Sequence, residues 1–129
     1  MSTELQMLVW SVILGLVQIA IAAAGSMTQR GPGWAASARD EAAVPLTGVA
    51  GRLDRARANF LETFAFFAAL VLAVVATGRQ DATSALGAQL YFWGRLVYLP
   101  VYAAGIPYLR TLVWAVSIAG IVMLLKAAL

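Results

Sequence analysis

The chain contains neither cysteine nor histidine. Without cysteine there are no disulfides, thiolate metal sites or cysteine nucleophile, and without histidine the commonest general base and metal ligand is missing. No metal site is expected, and any thiol chemistry must arrive with a substrate. Charge is scarce as well: 12% of residues are charged and 62% hydrophobic, against about 25% and 45–50% in ordinary soluble domains. A water-soluble monomer is excluded. A membrane-spanning helix takes about 20 residues, so four spans use about 80 of the 129 and leave roughly 49 for loops and ends. The composition predicts an all-α integral membrane protein, a four-transmembrane-helix up-down bundle with no separate soluble domain.

Leu5 to Ala24 is apolar except for Gln6, Ser11 and Gln18, and is long enough to span. Its tail, Ala22-Ala23-Ala24-Gly25, has the small residues of a signal-peptide cleavage site, but the only charged side chain before the run is Glu4 and a basic n-region is missing. The segment is expected to stay as helix one. Residues 25–51 carry Gly31-Pro32-Gly33, Ser37, Pro45 and Gly48 and are expected to form a long loop. Further helices are expected at about 52–77, 84–104 and 109–125, the third loosened at Pro100, which has no N–H to donate to Leu96. Small residues in helices one and three would allow close packing.

Six basic residues, Arg30, Arg39, Arg52, Arg55, Arg57 and Arg110, fall in or beside the first and third connections, and only Arg79 and Lys126 fall at the opposite ends. Basic residues stay on the cytoplasmic side, so both termini are expected outside, with the long loop in the cytoplasm. Nucleic-acid binding is set aside despite a pI near 9.8, because the Arg residues lie at membrane depth or at its edge. The group Arg30, Arg39, Asp40 and Glu41 reads as a solvated, orientation-setting segment. Trp10, Trp34, Trp93 and Trp114 read as interfacial or packing aromatics.

Two ionisable residues lie too deep to snorkel easily. Glu62 is about 15 Å below Arg52, and Arg95 about 15 Å below Gly105. A short turn joins helices two and three, so they are antiparallel, and matched counting puts Glu62 level with Arg95, Asn59 with Tyr98, and Arg55 with Tyr102. At about 100° per residue, Arg52, Arg55, Asn59 and Glu62 fall within a sector of roughly 80°, as do Tyr91, Arg95, Tyr98 and Tyr102. Asp54 and Arg57 point elsewhere, and Tyr91 reads as interfacial or packing. Two polar stripes thus run from the cytoplasmic edge to mid-membrane on adjacent helices.

One reading of the stripes is structural: Glu62 neutralises Arg95 and the tyrosines complete the hydrogen bonding. The other is a ligand site, favoured because the donors outnumber what one carboxylate can use and because Arg binds carboxylates bidentately. In a non-enzymatic membrane protein the same stripe would be structural or would hold a lipid head group. A small cation exporter also fits the size, although in such exporters the embedded acid is in the first helix, whereas Glu62 is in the second.

The segment Arg52-Leu-Asp-Arg55-Ala-Arg-Ala-Asn59-Phe-Leu-Glu62 resembles the second-helix signature R-x-x-R-A-x-x-N-x-x-E of the membrane-associated proteins in eicosanoid and glutathione metabolism, the MAPEG family. Arg95 and Tyr102 resemble that family's third-helix Arg and Tyr, and Arg110-Thr111 the opening of its fourth helix. Ala58 stands where several members have a second Arg, and Leu5 to Ala24 holds no basic residue. The resemblance implies a bacterial-type member in the inner membrane: a homotrimer that binds glutathione between protomers and transfers it to lipophilic electrophiles or reduces lipid hydroperoxides. Arg52, Arg55, Asn59, Glu62, Arg95, Tyr98 and Tyr102 would then hold the tripeptide, with Arg110 and Thr111 by its sulfur. Lipophilic substrate would enter from membrane lipid near helices one and four.

Overall fold

The computed structural model describes residues 1–129 as five helices: α1 (Thr3–Arg30), α2 (Pro32–Ala36), α3 (Gly48–Ala76), α4 (Ala82–Ala103) and α5 (Pro107–Ala128). The four long helices form a four-span bundle. α1, α3 and α5 are long and apolar enough to cross a membrane. At 22 residues, or about 33 Å, α4 is also long enough. Its Gln89, Arg95, Pro100 and three tyrosines make it less apolar, and it is shielded by α1, α3 and α5, all of which it contacts. α1 and α5 do not touch each other, which leaves α3 and α4 as the central diagonal.

Hydrogen bonds at the two ends fix the up-down order. At the termini end, the Ser84 hydroxyl donates to Oε1 of Glu4 (2.7 Å), and Arg79 Nη1 donates to the carbonyl of Ala128 (2.7 Å). Asp81 and Ser84 form a capping box that starts α4. At the opposite, loop end, Arg52 Nε donates to the carbonyl of Ala103 (2.9 Å), satisfying one of the open carbonyls at the end of α4.

The 25–51 region is more helical than its composition predicts. α1 continues six residues beyond Ala24, and α3 begins at Gly48 instead of Arg52; the short α2 lies between them. Gly25 costs a helix about 1 kcal/mol relative to Ala. Here it lies where α1 crosses α3, and a Cβ at that position would be 3.1 Å from the Cβ of Ala50. The glycine is therefore a packing residue. The remaining connection is pinned to α1 by a reciprocal pair, Gln29 Nε2 to the Thr47 carbonyl (3.0 Å) and Thr47 N to Gln29 Oε1 (2.9 Å), and by Arg30 Nε to the Val44 carbonyl (2.7 Å). Gly31 at φ 84° and Pro32 then end α1.

The closest helix contact is between α4 and α5. A Cβ on Gly87 would be 2.7 Å from the Gly120 carbonyl oxygen, and one on Gly94 would be 3.3 Å from Ser117. Close backbone approach of this kind holds helices together where lipid removes the hydrophobic drive. The apolar core runs from Leu14 through Phe60, Phe67 and Tyr91 to Leu124. Outward faces carry Val9, Ile13, Leu16, Leu112 and Val122, while Ser11, Gln18, Arg95 and Ser117 are buried. Apolar side chains outside and polar ones inside suit a lipid surround.

Candidate functional site

Arg55, two turns into α3, donates through Nε to the hydroxyl of Tyr102 on α4 (3.2 Å). The pairing has the register expected from matched counting. Deeper in, the stripes are offset: Arg95 Nη1 donates to Asn59 Oδ1 (2.8 Å), and the Thr63 and Tyr91 hydroxyls lie 3.0 Å apart. These pairs sit three residues away from the counted register, about 4.5 Å along the axis. Arg95 therefore meets Asn59, and Asn59 makes no hydrogen bond to the Tyr98 hydroxyl.

The expected neutralisation of Arg95 by Glu62 does not occur within the chain. Its one ion pair is Arg57 with Asp54 (2.9 Å), the two residues expected to point away from the stripe. Glu62 is exposed on the outer face of α3. Arg95 is 1% exposed, and its guanidinium lies 4.2 Å from the Tyr98 ring centre and 5.7 Å from that of Phe60. Its Nε and Nη2 have no partner, and neither does the buried Tyr98 hydroxyl. A buried cation with one neutral acceptor is under-satisfied, which favours an anion nearby.

Tyr102 is the hub of the loop end. Its ring meets Tyr98 edge-on with centres 5.5 Å apart, the Arg55 guanidinium lies 6.0 Å from its centre, and that of Arg110, in the first turn of α5, lies 5.1 Å away. Arg55, Arg110 and Tyr102 are thus gathered from three helices. Two expected site residues are engaged elsewhere. Arg52 caps α4, and the exposed Thr111 hydroxyl turns back to the Pro107 carbonyl at 3.4 Å.

Sequence reasoning missed two contributors. Phe60 forms an aromatic wall beside Arg95 and reads in the sequence only as a core residue. Arg30 is the basic residue of the first helix, hidden because that helix was expected to stop at Ala24; the uninterrupted Ser26-Met27-Thr28-Gln29-Arg30 before Gly31-Pro32 was the available signal. Tyr91 is a packing residue, stacked on Phe67 with ring centres 4.0 Å apart.

None of the cavities is lined by Arg55, Glu62, Arg95 or Tyr102. The largest, about 540 Å³, is an apolar groove between α1 and α4 walled by Met7, Trp10, Phe92 and Trp93. On the lone chain Arg55 and Glu62 are exposed while Arg95 and Tyr98 are closed off, with donors in excess and a single acid. Fold and site together define a four-helix integral membrane protein with an arginine- and tyrosine-rich cluster at the loop end. The chain belongs to the MAPEG family, whose profile matches residues 7–129. Among curated proteins no sequence matches it. Membership leaves the cation-exporter reading without support.

Proposed function

We propose that the protein uses glutathione or a similar anionic thiol as a transferase or peroxidase on lipophilic electrophiles or lipid hydroperoxides. The observation that carries this is the grouping of Arg55 and Arg110 around Tyr102, with two unpartnered donors on buried Arg95 one step deeper. Glutathione has two carboxylates, one ammonium and one thiol, and this face offers several guanidiniums and one carboxylate. Arg55, Arg95 and the Asn59 amide would hold carboxylates and Glu62 the ammonium. Because Arg95 can only donate, it fixes Asn59 Oδ1 as an acceptor and leaves the amide N–H groups for a ligand.

Arg110 has the chemical role in this reading. A guanidinium beside a thiol favours the thiolate, the nucleophilic form, over the neutral form with its usual pKa near 8.5. In the transferase reaction the sulfur forms a bond to the electrophilic carbon as the leaving group departs. In the peroxidase reaction two thiols are oxidised to one disulfide while the hydroperoxide is reduced to alcohol and water. Thr111 lies one residue further on, and with its hydroxyl turned to Pro107 it serves at most after a rotamer change.

A homotrimer is part of the proposal. Exposed Glu62 at mid-membrane is costly against lipid, and Arg55 above it is exposed as well; a neighbouring copy would cover both. We place the loop end, with six basic residues, in the cytoplasm of a bacterial inner membrane and both termini outside. The test is native mass spectrometry of the purified protein with glutathione, together with conjugation of a lipophilic aryl halide. Trimer retention of glutathione and a rate lost in Arg110→Ala support the reading; neither binding nor turnover overturns it. A second reading, a non-catalytic lipid head-group site, draws on the engagement of Arg52 and Thr111 at helix ends.

A further inference from the structure

Trp93 lies at the middle of α4, about 15–17 Å from either end of the helix. The bond between Glu4 and Ser84 sets the register of α1 against α4, two helices that run parallel, and brings Trp10 within about one turn of the same level. Both side chains are 54% exposed. They match neither of the roles that the sequence suggests for them. Interfacial rings sit at the membrane edge, and packing rings are covered by neighbours.

The two tryptophans stand on the α1 and α4 walls of the apolar groove of about 540 Å³. Phe92 meets Trp93 edge-on, with ring centres 5.1 Å apart, and supports its orientation. The floor is aliphatic, with Ile13 and Val17 on one side and Leu96 on the other, and no lining residue is charged. An indole N–H away from water requires an acceptor, and lipid tails supply none at this depth. Of the four tryptophans only Trp34 has one, the Glu41 carbonyl at 3.4 Å. Exposed valines and leucines need nothing more than lipid around them; two half-exposed indoles at mid-membrane leave two N–H donors open. Gln6 and Gln89, both exposed, stand one turn from Trp10 and Trp93 toward the termini end and add an amide to each wall.

We propose that this groove binds an uncharged planar lipid with ring carbonyls, a quinone bearing an alkyl tail, with its ring between Trp10 and Trp93 and its tail along the aliphatic floor. A flat ring suits an indole face, and two ring carbonyls supply the acceptors that the two N–H groups lack. The uncharged lining selects against fatty acids and phospholipid head groups, whose charge would lie at mid-membrane without a counter-ion. A saturated acyl chain would cover the walls but leave both N–H groups open. The volume is within the range of small-molecule pockets, and a site at this depth fills from the lipid phase. The groove uses none of the residues given to the thiol and stands whether or not the thiol reading holds.

The test is tryptophan fluorescence of the full chain in neutral detergent, without thiol, titrated with a benzoquinone that carries a decyl tail. Trp34→Phe/Trp114→Phe keeps the two groove reporters, and Trp10→Phe/Trp93→Phe keeps the other two. Saturable quenching is expected in the first variant and only linear, collisional quenching in the second. Adding Trp93→Phe to the first keeps an aromatic ring but removes one donor, so binding read from Trp10 should weaken by about fivefold, the equivalent of one neutral hydrogen bond. Ile13→Phe/Val17→Phe fills the groove from two outward positions, each 44% exposed, and should abolish the saturable phase with helicity unchanged. Decylbenzene, which has the ring and tail but no carbonyl, should not compete at equal concentration. Linear quenching of the groove reporters, full competition by decylbenzene, undiminished binding in Trp93→Phe or in the filled variant, or a change of oligomeric mass in the filled variant, which would assign the groove to a neighbouring copy, would each overturn the proposal.

Discussion

Replacing Asn59 with Leu removes the only hydrogen-bond acceptor of the Arg95 guanidinium. Arg95 is 1% exposed, and its other two donor groups already have no partner. The change keeps volume and polar count at other positions while leaving a full positive charge without any acceptor. A hydrogen bond to a charged group contributes about 1.5–3 kcal/mol, and stranding a buried charge adds to the loss, so Asn59→Leu should destabilise the ligand-free protein by about 2–3 kcal/mol. Two further variants isolate the cause. Asn59→Asp offers a carboxylate to the same Nη1 and should be neutral or stabilising. Asn59→Leu/Arg95→Leu removes the charge together with its acceptor, so it should be less destabilised than the sum of the two single variants by at least about 1 kcal/mol. Equilibrium unfolding in mixed micelles, followed by helicity, gives all four corners of the cycle. Strict additivity, or Asn59→Leu as stable as the parent, would refute the claim that Asn59 satisfies a buried Arg95.

Four other outcomes follow from the same structure. Gly120→Val places a branched side chain against the Gly87 backbone and 2.8 Å from the Tyr91 nitrogen, neither of which can yield without parting α4 from α5; a loss of about 3 kcal/mol or more in the same unfolding assay is expected. Under the proposed function, Tyr102→Phe removes the hydroxyl that receives Arg55 Nε while keeping the ring beside Arg110, so KM for the thiol should rise several-fold with kcat nearly unchanged. If Arg110 favours the thiolate, the rate rises with pH through a pKa below about 8.5. In Arg110→Ala that limb should move up toward about 8.5, with roughly tenfold loss at neutral pH for each unit moved and partial recovery at high pH. Asp54→Asn, which breaks a partly exposed i,i+3 pair, should change stability by less than about 0.5 kcal/mol.

The spans and their up-down order are legible in the sequence because uninterrupted apolar runs of about 20 residues have few other uses. Helix faces are legible for a similar reason. The period of Arg52, Arg55, Asn59 and Glu62 assigns them to one side, and the bond between Arg55 and Tyr102 falls where counting places it. The offset deeper in the bundle was not legible. Counting gives backbone heights only, whereas long side chains such as those of Arg95 and Tyr91 reach partners nearly a turn away from the residue at their own level, which no single-helix pattern encodes. For that reason Arg95 meets Asn59 instead of Glu62. The end of α1 was misplaced through its composition. Gly25 and the polar Ser26, Thr28 and Gln29 resemble a loop, but Gly25 is needed where α3 passes close and Gln29 is needed to hold Thr47. Arg30 came to light as a helical residue only once those tertiary contacts were visible.

In the proposed function, Arg110 at the start of α5 turns a bound thiol into a nucleophile for a protein without cysteine. Ultraviolet difference absorbance of the purified protein mixed with millimolar glutathione at neutral pH tests this directly. A thiolate band that saturates with glutathione and is lost in Arg110→Ala, while Arg79→Gln retains it, is the predicted result. Absence of the band in the parent protein, or the same band in Arg110→Ala, would contradict it.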